Sequence, residues 1–173
     1  MNNLRALTDT LKGFDLQSYM NELSKLGSVN VQDQDGNSLL HYCVINCNYP
    51  ALLYTLSKKA NINMQNNKKF TPLMLAIWSG FIPLAAALLQ AGARLDIVDA
   101  KNRSPIYFAV KRNDVRAIRL LLDFGANPNE VVGDYGLLSL AARLGNDEAI
   151  SLLIEFGARH DVGNIPPLIS CIK

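Results

Sequence analysis

Leu88-Leu89-Gln90-Ala91-Gly92-Ala93 decides how this chain is read, because the same pattern returns at a nearly constant step. Gly125-Ala126 closes Leu120-Leu121-Leu122-Asp123-Phe124 33 residues later, and Gly157-Ala158 closes Leu152-Leu153-Ile154-Glu155-Phe156 after a step of 32. Lys59-Ala60 stands 33 residues before Gly92-Ala93. A second landmark keeps the same register. Thr71-Pro72-Leu73 returns as Ser104-Pro105-Ile106, with Ser38-Leu39-Leu40 ahead of it and, after a single-residue deletion, Gly136-Leu137-Leu138 behind. The fifth position after each of these starts is small: Cys43, Ala76, Ala109 and Ala141. Two landmarks in register over four copies establish a repeat, and a period of this length signals a stack of supersecondary units.

The ends hold weaker copies. Residues 23–33 parallel 56–66, so the first 28 residues or so read as a degenerate leading unit, two helices that cap the stack. Pro166-Pro167-Leu168-Ile169-Ser170-Cys171 begins the pattern again shortly before Lys173.

The 33-residue period, the Thr-Pro-Leu start and the Gly-Ala before each new turn resemble the ankyrin repeat. The resemblance covers nearly the whole chain. It implies an all-α ankyrin-repeat solenoid of helix-turn-helix units joined by β-hairpin-like fingers. The expected divisions are a capping repeat over 1–28, repeats over 29–63, 64–96, 97–129 and 130–161, and the start of a truncated unit over 162–173. The chain departs from the family pattern at Lys69 and Asn102, where glycine is usual, and at Met74, where histidine is usual. Such divergent repeats resemble those of secreted bacterial effectors and viral host-range proteins.

Local chemistry agrees with helix pairs. Ser38, Thr71 and Ser104 are suited to N-cap positions, where a hydroxyl can satisfy an amide of the first turn. Pro72 and Pro105 follow at the first helical position, where a missing N–H is harmless. Gly80 and Gly145 mark the turn between paired helices, with Cys47 and Asn113 in the same slot. Leu88, Leu89, Leu120, Leu121, Leu152 and Leu153 are the expected buried face of the second helices. Asn2, Asn3, Arg5, Asp9 and Lys12 supply a polar outer face at the start. The apolar Ile169, Cys171 and Ile172 predict a stack that continues past Lys173.

Composition limits the function classes. With 173 residues and 49% hydrophobic content the chain can bury a continuous core, and 18% charged residues is too few for a disordered chain. A net charge of +2 argues for no nucleic-acid partner by itself. No apolar run approaches a membrane span. Three scattered cysteines make no disulfide framework, which points to a reducing compartment such as the cytoplasm, or the host cytosol for an effector.

Catalytic constellations are not legible. The resemblance implies that His41 makes hydrogen bonds between loops and repeats; His160 stands beside Asp161 in a finger. His41, Cys43 and Cys47 lack a fourth ligand and a second paired motif for zinc. The glycines recur at repeat spacing, so no phosphate loop is read from them. Asp147 and Glu148 open a predicted helix, where acidic residues complement the macrodipole. Ser139 and Ser151 have no base at a readable spacing. The expectation is a non-enzyme without cofactor, metal or small-molecule substrate.

Binding is expected instead on the concave face, built from finger tips and first helices. Phe70 and Trp78, the latter the single tryptophan, are expected to be exposed there, with Tyr135 across the groove. Lys68, Lys101, Arg103, Lys111, Arg112 and Arg143 make that face basic although the whole chain is nearly neutral. Aromatic anchors beside cations suit a partner protein with an acidic or phosphorylated surface. Nucleic acid is disfavoured because the aromatics do not alternate with the basic residues along a strand. The alternative is a targeting or recruiting segment of a larger enzyme whose catalytic part lies beyond Lys173.

Overall fold

The computed structural model describes residues 2–13 and 15–160, so the expectations for residues 162–173 lie outside the described chain. Among the described residues five helix pairs follow one another. They are α1 (Asn2–Lys12) with α2 (Leu16–Ser24), α3 (Leu39–Ile45) with α4 (Tyr49–Ser57), α5 (Pro72–Ser79) with α6 (Ile82–Gln90), α7 (Pro105–Lys111) with α8 (Val115–Asp123), and α9 (Leu137–Arg143) with α10 (Asp147–Glu155). The odd-numbered helices stack in one row and the even-numbered in a second, each helix against the equivalent helix of the next unit. None of these helices is long and apolar enough to cross a membrane.

The small slot explains the close inner row. Cys43, Ala76, Ala109 and Ala141 are completely buried between successive first helices. The second helices bury Leu88, Leu89, Leu121, Leu122, Leu152 and Leu153. Leu120 corrects the expected face, since it is only half-buried and Leu122 takes the inward position. At the leading end Leu7, Leu11, Tyr19 and Leu23 close the core, while Asp9 and Lys12 face solvent and pair at 2.9 Å. Tyr19 buries its whole ring and its hydroxyl sits 2.6 Å from Thr55 Oγ1, which ties the capping pair to α4.

Of the three expected hydroxyl caps, Thr71 behaves as read: its Oγ1 accepts from the Met74 amide at 3.2 Å. Ser38 forms a capping box with His41, whose ring accepts from the Ser38 amide, whereas Ser104 occupies its N-cap position but turns its hydroxyl elsewhere. Ser38 Oγ meets His41 Nδ1 at 2.8 Å, and Ser104 Oγ donates to the Glu130 carboxylate of the following unit. Asn48, Asp114 and Asn146 cap the second helices by accepting from Ala51, Ala117 and Ala149 amides.

Left-handed backbone recurs at three slots in register. The inter-helix turn holds Cys47, Gly80, Asn113 and Gly145; the end of the second helix holds Lys59, Gly92, Gly125 and Gly157; the finger holds Gly36, Lys69 and Asn102. Five of these eleven are not glycine, yet their φ values of 50 to 62° match the slot.

The fingers are hairpin-like to different degrees. Among the described residues only the fourth forms a paired ladder, β1 (Val131–Val132) antiparallel to β2 (Tyr135–Gly136), and the first has a single bridge between Gln32 and Ser38. The others are loops pinned by a carboxylate or amide at their base. Asn66 Oδ1 accepts from the Lys68 and Phe70 amides, and Asp99 Oδ1 from those of Lys101 and Arg103, all at 2.9 to 3.0 Å. These side-chain acceptors add to one backbone bond across each loop, Asn66 N–H to the Phe70 carbonyl and Asp99 N–H to the Arg103 carbonyl, both at 3.0 Å. Gln32 and Gln65 then join successive fingers, since Gln32 Nε2 donates to the Gln65 carbonyl at 3.0 Å and Gln65 Nε2 to the Val98 carbonyl at 2.9 Å. The apolar Val98 ends this ladder.

Candidate protein-binding face

The first-helix row and the fingers together form one elongated face. Its most prominent group is Trp78, near the end of α5 and 46% exposed. The indole stands edge-on to the Phe108 ring, with centroids 5.8 Å apart and planes at 77°. Phe108 belongs to the next repeat and is only 2% exposed, so the exposed indole rests on a rigid core side chain. Phe70 approaches Phe108 at 5.0 Å and Tyr107 does so at 5.6 Å. Phe70 is therefore half-buried rather than presented to solvent, because it leads into α5 and its ring closes on the neighbouring helix.

The cations divide into two groups. Arg103 departs from the expected solvated fingertip: its Nε and Nη2 both donate to Asp99 Oδ2, and its guanidinium lies 4.9 Å over the Phe108 ring. Burial pushes the Asp99 carboxyl up, but bonds from Arg103 and from the finger amides outweigh it and hold the group below its ordinary value. The same pair raises the Arg103 pKa. Arg103 thus braces the third finger against the core. Lys68, Lys101, Lys111, Arg112 and Arg143 are exposed and form no ion pair among the described residues. Arg112 Nη1 donates to the Trp78 carbonyl at 2.6 Å. Arg143 lies 4.8 Å over the Tyr135 ring, which is 43% exposed.

Tyr135 does not join Trp78. It lines a separate shallow groove of about 270 Å³ with Tyr107, Lys111, Leu140, Arg143 and Leu144. Sequence reading missed Tyr107 and Phe108. Their positions inside a predicted helix gave core spacing, and only the stacking of repeats brings Phe108 beneath both Phe70 and Trp78.

The titratable groups inside the stack are structural. His41 is fully buried; Nδ1 accepts from the Ser38 amide at 3.1 Å and Nε2 donates to the Phe70 carbonyl at 2.9 Å. Burial lowers its pKa, so the neutral ring bridges two repeats. Cys43 is buried and its thiol is pushed up to about 11. Among the described residues no three His, Cys, Asp or Glu side chains gather as a metal site.

This double row of stacked helix pairs, with fingers projecting in register, is the architecture of a repeat-built interaction protein. The chain belongs to the ankyrin repeat family: the family model for ankyrin repeats in three copies matches residues 11–99 and 88–164. Ankyrin repeats are protein-interaction modules. A putative ankyrin repeat protein of Rickettsia bellii is 33% identical over 110 residues, covering 60% of this chain and 31% of that protein. The B-cell lymphoma 3 protein homolog of Mus musculus is 30% identical over 154 residues, covering 82% of this chain and 34% of that protein. NF-kappa-B inhibitor alpha of Gallus gallus is 30% identical over 92 residues, covering 51% of this chain and 29% of that protein. The chain thus spans about a third of the length of these relatives.

Proposed function

We propose that this chain recognises a partner protein through the face built from its first helices and fingers, with Trp78 as the central anchor. One observation supports this most directly. A half-exposed indole rests on the buried Phe108, and a pre-ordered aromatic loses little conformational freedom on binding. Lys68, Lys101, Lys111, Arg112 and Arg143 lie exposed on the same first-helix and finger face, form no ion pair among the described residues, and favour an acidic or phosphorylated surface on the partner. One relative is named as an inhibitor of NF-kappa-B, which gives that protein a protein target.

The test is affinity capture from eukaryotic lysate with the wild-type chain and a Trp78→Ala/Lys111→Glu variant whose fold is verified by circular dichroism. Lys111 is chosen over Arg112 because the Arg112 guanidinium also holds the Trp78 carbonyl. Proteins captured by the wild type and lost from the folded variant support this face. Equal capture by both refutes it and moves recognition elsewhere on the stack.

A further inference from the structure

One register of the recognition face is chemically divided along its length. The residues at or one before the last position of the first helices are Ile45, Trp78, Lys111 and Arg143, in the order of the repeats. Each occupies the same structural slot and each is exposed. Ile45 is 50% exposed and Trp78 46% exposed, so the first two repeats present apolar surface there. The last two present cations, with Arg143 steadied over Tyr135 and Lys111 beside the same groove. Arg112, at the boundary, turns back onto the Trp78 carbonyl and adds its charge between the halves. Asp99 is paired with Arg103, and neither Glu130, which accepts from Ser104, nor the exposed Asp134 forms an ion pair with Lys111, Arg112 or Arg143 among the described residues.

We infer that this register receives one extended peptide segment of the partner with two blocks, an apolar block over Ile45 and Trp78 and an acidic block over Lys111 and Arg143. The proposal rests on the recognition reading above and adds the composition and orientation of what is recognised. Packed helices lie about 8–10 Å apart, so three steps from Ile45 to Arg143 span roughly 24–30 Å. An extended chain advances about 3.3 Å per residue, so eight or nine residues cover that distance. Apolar surface at one end and charge at the other also fix the direction, because the reversed segment would set carboxylates on Trp78 and leave the cations without partners.

The test is selection from a displayed library of random ten-residue peptides on the full chain, in parallel with Trp78→Ala, Ile45→Gln and Lys111→Glu/Arg143→Glu. All variants are first checked for wild-type-like melting. Wild type is expected to enrich peptides with apolar and acidic residues in separate blocks in one order. Trp78→Ala and Ile45→Gln should each relax the apolar block while retaining the acidic one. The charge-reversal variant should lose the acidic block and keep the apolar one. A synthetic wild-type winner should bind Trp78→Ala at least tenfold more weakly than wild type at any salt. Its affinity for wild type should also fall with salt, a fall that the charge-reversal variant abolishes. Peptides that require Trp78 but show interleaved or unordered acidic and apolar residues overturn this inference alone. Enrichment that is identical on wild type and every variant overturns the recognition reading with it.

Discussion

Arg112 Nη1 donates a 2.6 Å hydrogen bond to the main-chain carbonyl of Trp78, one repeat earlier in the stack. That carbonyl lies in the last turn of α5, among the acceptors a helix leaves without intrahelical donors, and a cation there also complements the helix dipole. The contact therefore links two repeats beneath the recognition face.

Arg112→Ala is expected to lower stability by about 0.5–1.5 kcal/mol, the usual net worth of one hydrogen bond. Arg112→Lys should recover part of the loss by keeping the charge near the helix end. Urea unfolding read by the single tryptophan measures both, and an unchanged midpoint for Arg112→Ala would show that the bond adds nothing in solution. Gly80→Ala should be worse, because the new Cβ would lie 3.0 Å from Arg112 Nη2 on a backbone with φ of 77°.

The left-handed slots offer stabilising changes. Cys47, Lys59 and Lys69 sit at φ of 50, 59 and 62° where equivalent repeats use glycine. Cys47→Gly, Lys59→Gly and Lys69→Gly should each raise stability by about 1 kcal/mol, the left-handed penalty of a side chain less the added freedom of the unfolded glycine. Asn113→Gly should gain less, since Asn113 Oδ1 accepts from Asn146 Nδ2. The reverse change at Gly36 should be strongly destabilising, because a Cβ there would meet the Asn67 amide nitrogen at 2.8 Å. Chemical denaturation midpoints that fall for the three glycine variants would contradict this account.

His41 makes stability depend on mildly acid pH. Burial depresses its folded-state pKa below the ordinary 6.5. Its contribution is complete above that value and is lost as pH falls from 6.5 through the folded-state pKa, because protonating Nδ1 expels the Ser38 amide. Melting temperatures between pH 7.5 and 5 should fall more steeply for the wild type than for His41→Gln. Parallel curves would assign the dependence to other groups.

Glu130 has the opposite sign. Burial raises its carboxyl above the ordinary 4.5, only partly offset by the Ser104 hydroxyl and amide. A raised acid favours the protonated folded state, so stability falls as pH rises from 4.5 through the folded value. Glu130→Gln removes that dependence while keeping an acceptor for the Ser104 amide, which bonds Glu130 Oε1 at 3.1 Å. It should therefore be neutral or stabilising at pH 7, whereas Glu130→Ala should destabilise by about 1–3 kcal/mol by leaving the amide unsatisfied. Thermal melts of the two variants at pH 7 and 4 separate these effects.

The repeat period, the prolines at the starts of α5 and α7, the small inner slot and the inter-helix turns were all legible in the sequence. Each is a local requirement: Pro72 and Pro105 suit the first helical turn, and Gly80 and Gly145 suit left-handed backbone, whatever lies nearby. Trp78 was legible as an exposed aromatic for the same reason, since its place near the end of a first helix follows from register alone. The tertiary structure decided what those side chains meet. Arg103 closes on Asp99 and Phe108, Ser104 turns from its own helix to Glu130, and Phe70 sinks onto Phe108. Arg103 meets Asp99 and Phe108 within its own repeat, whereas the Ser104–Glu130 and Phe70–Phe108 contacts join residues of neighbouring repeats. The period states which unit follows which, but not which partner satisfies each polar atom. That choice is made when stacking removes water from the seam and leaves each buried donor or acceptor to find a partner across it.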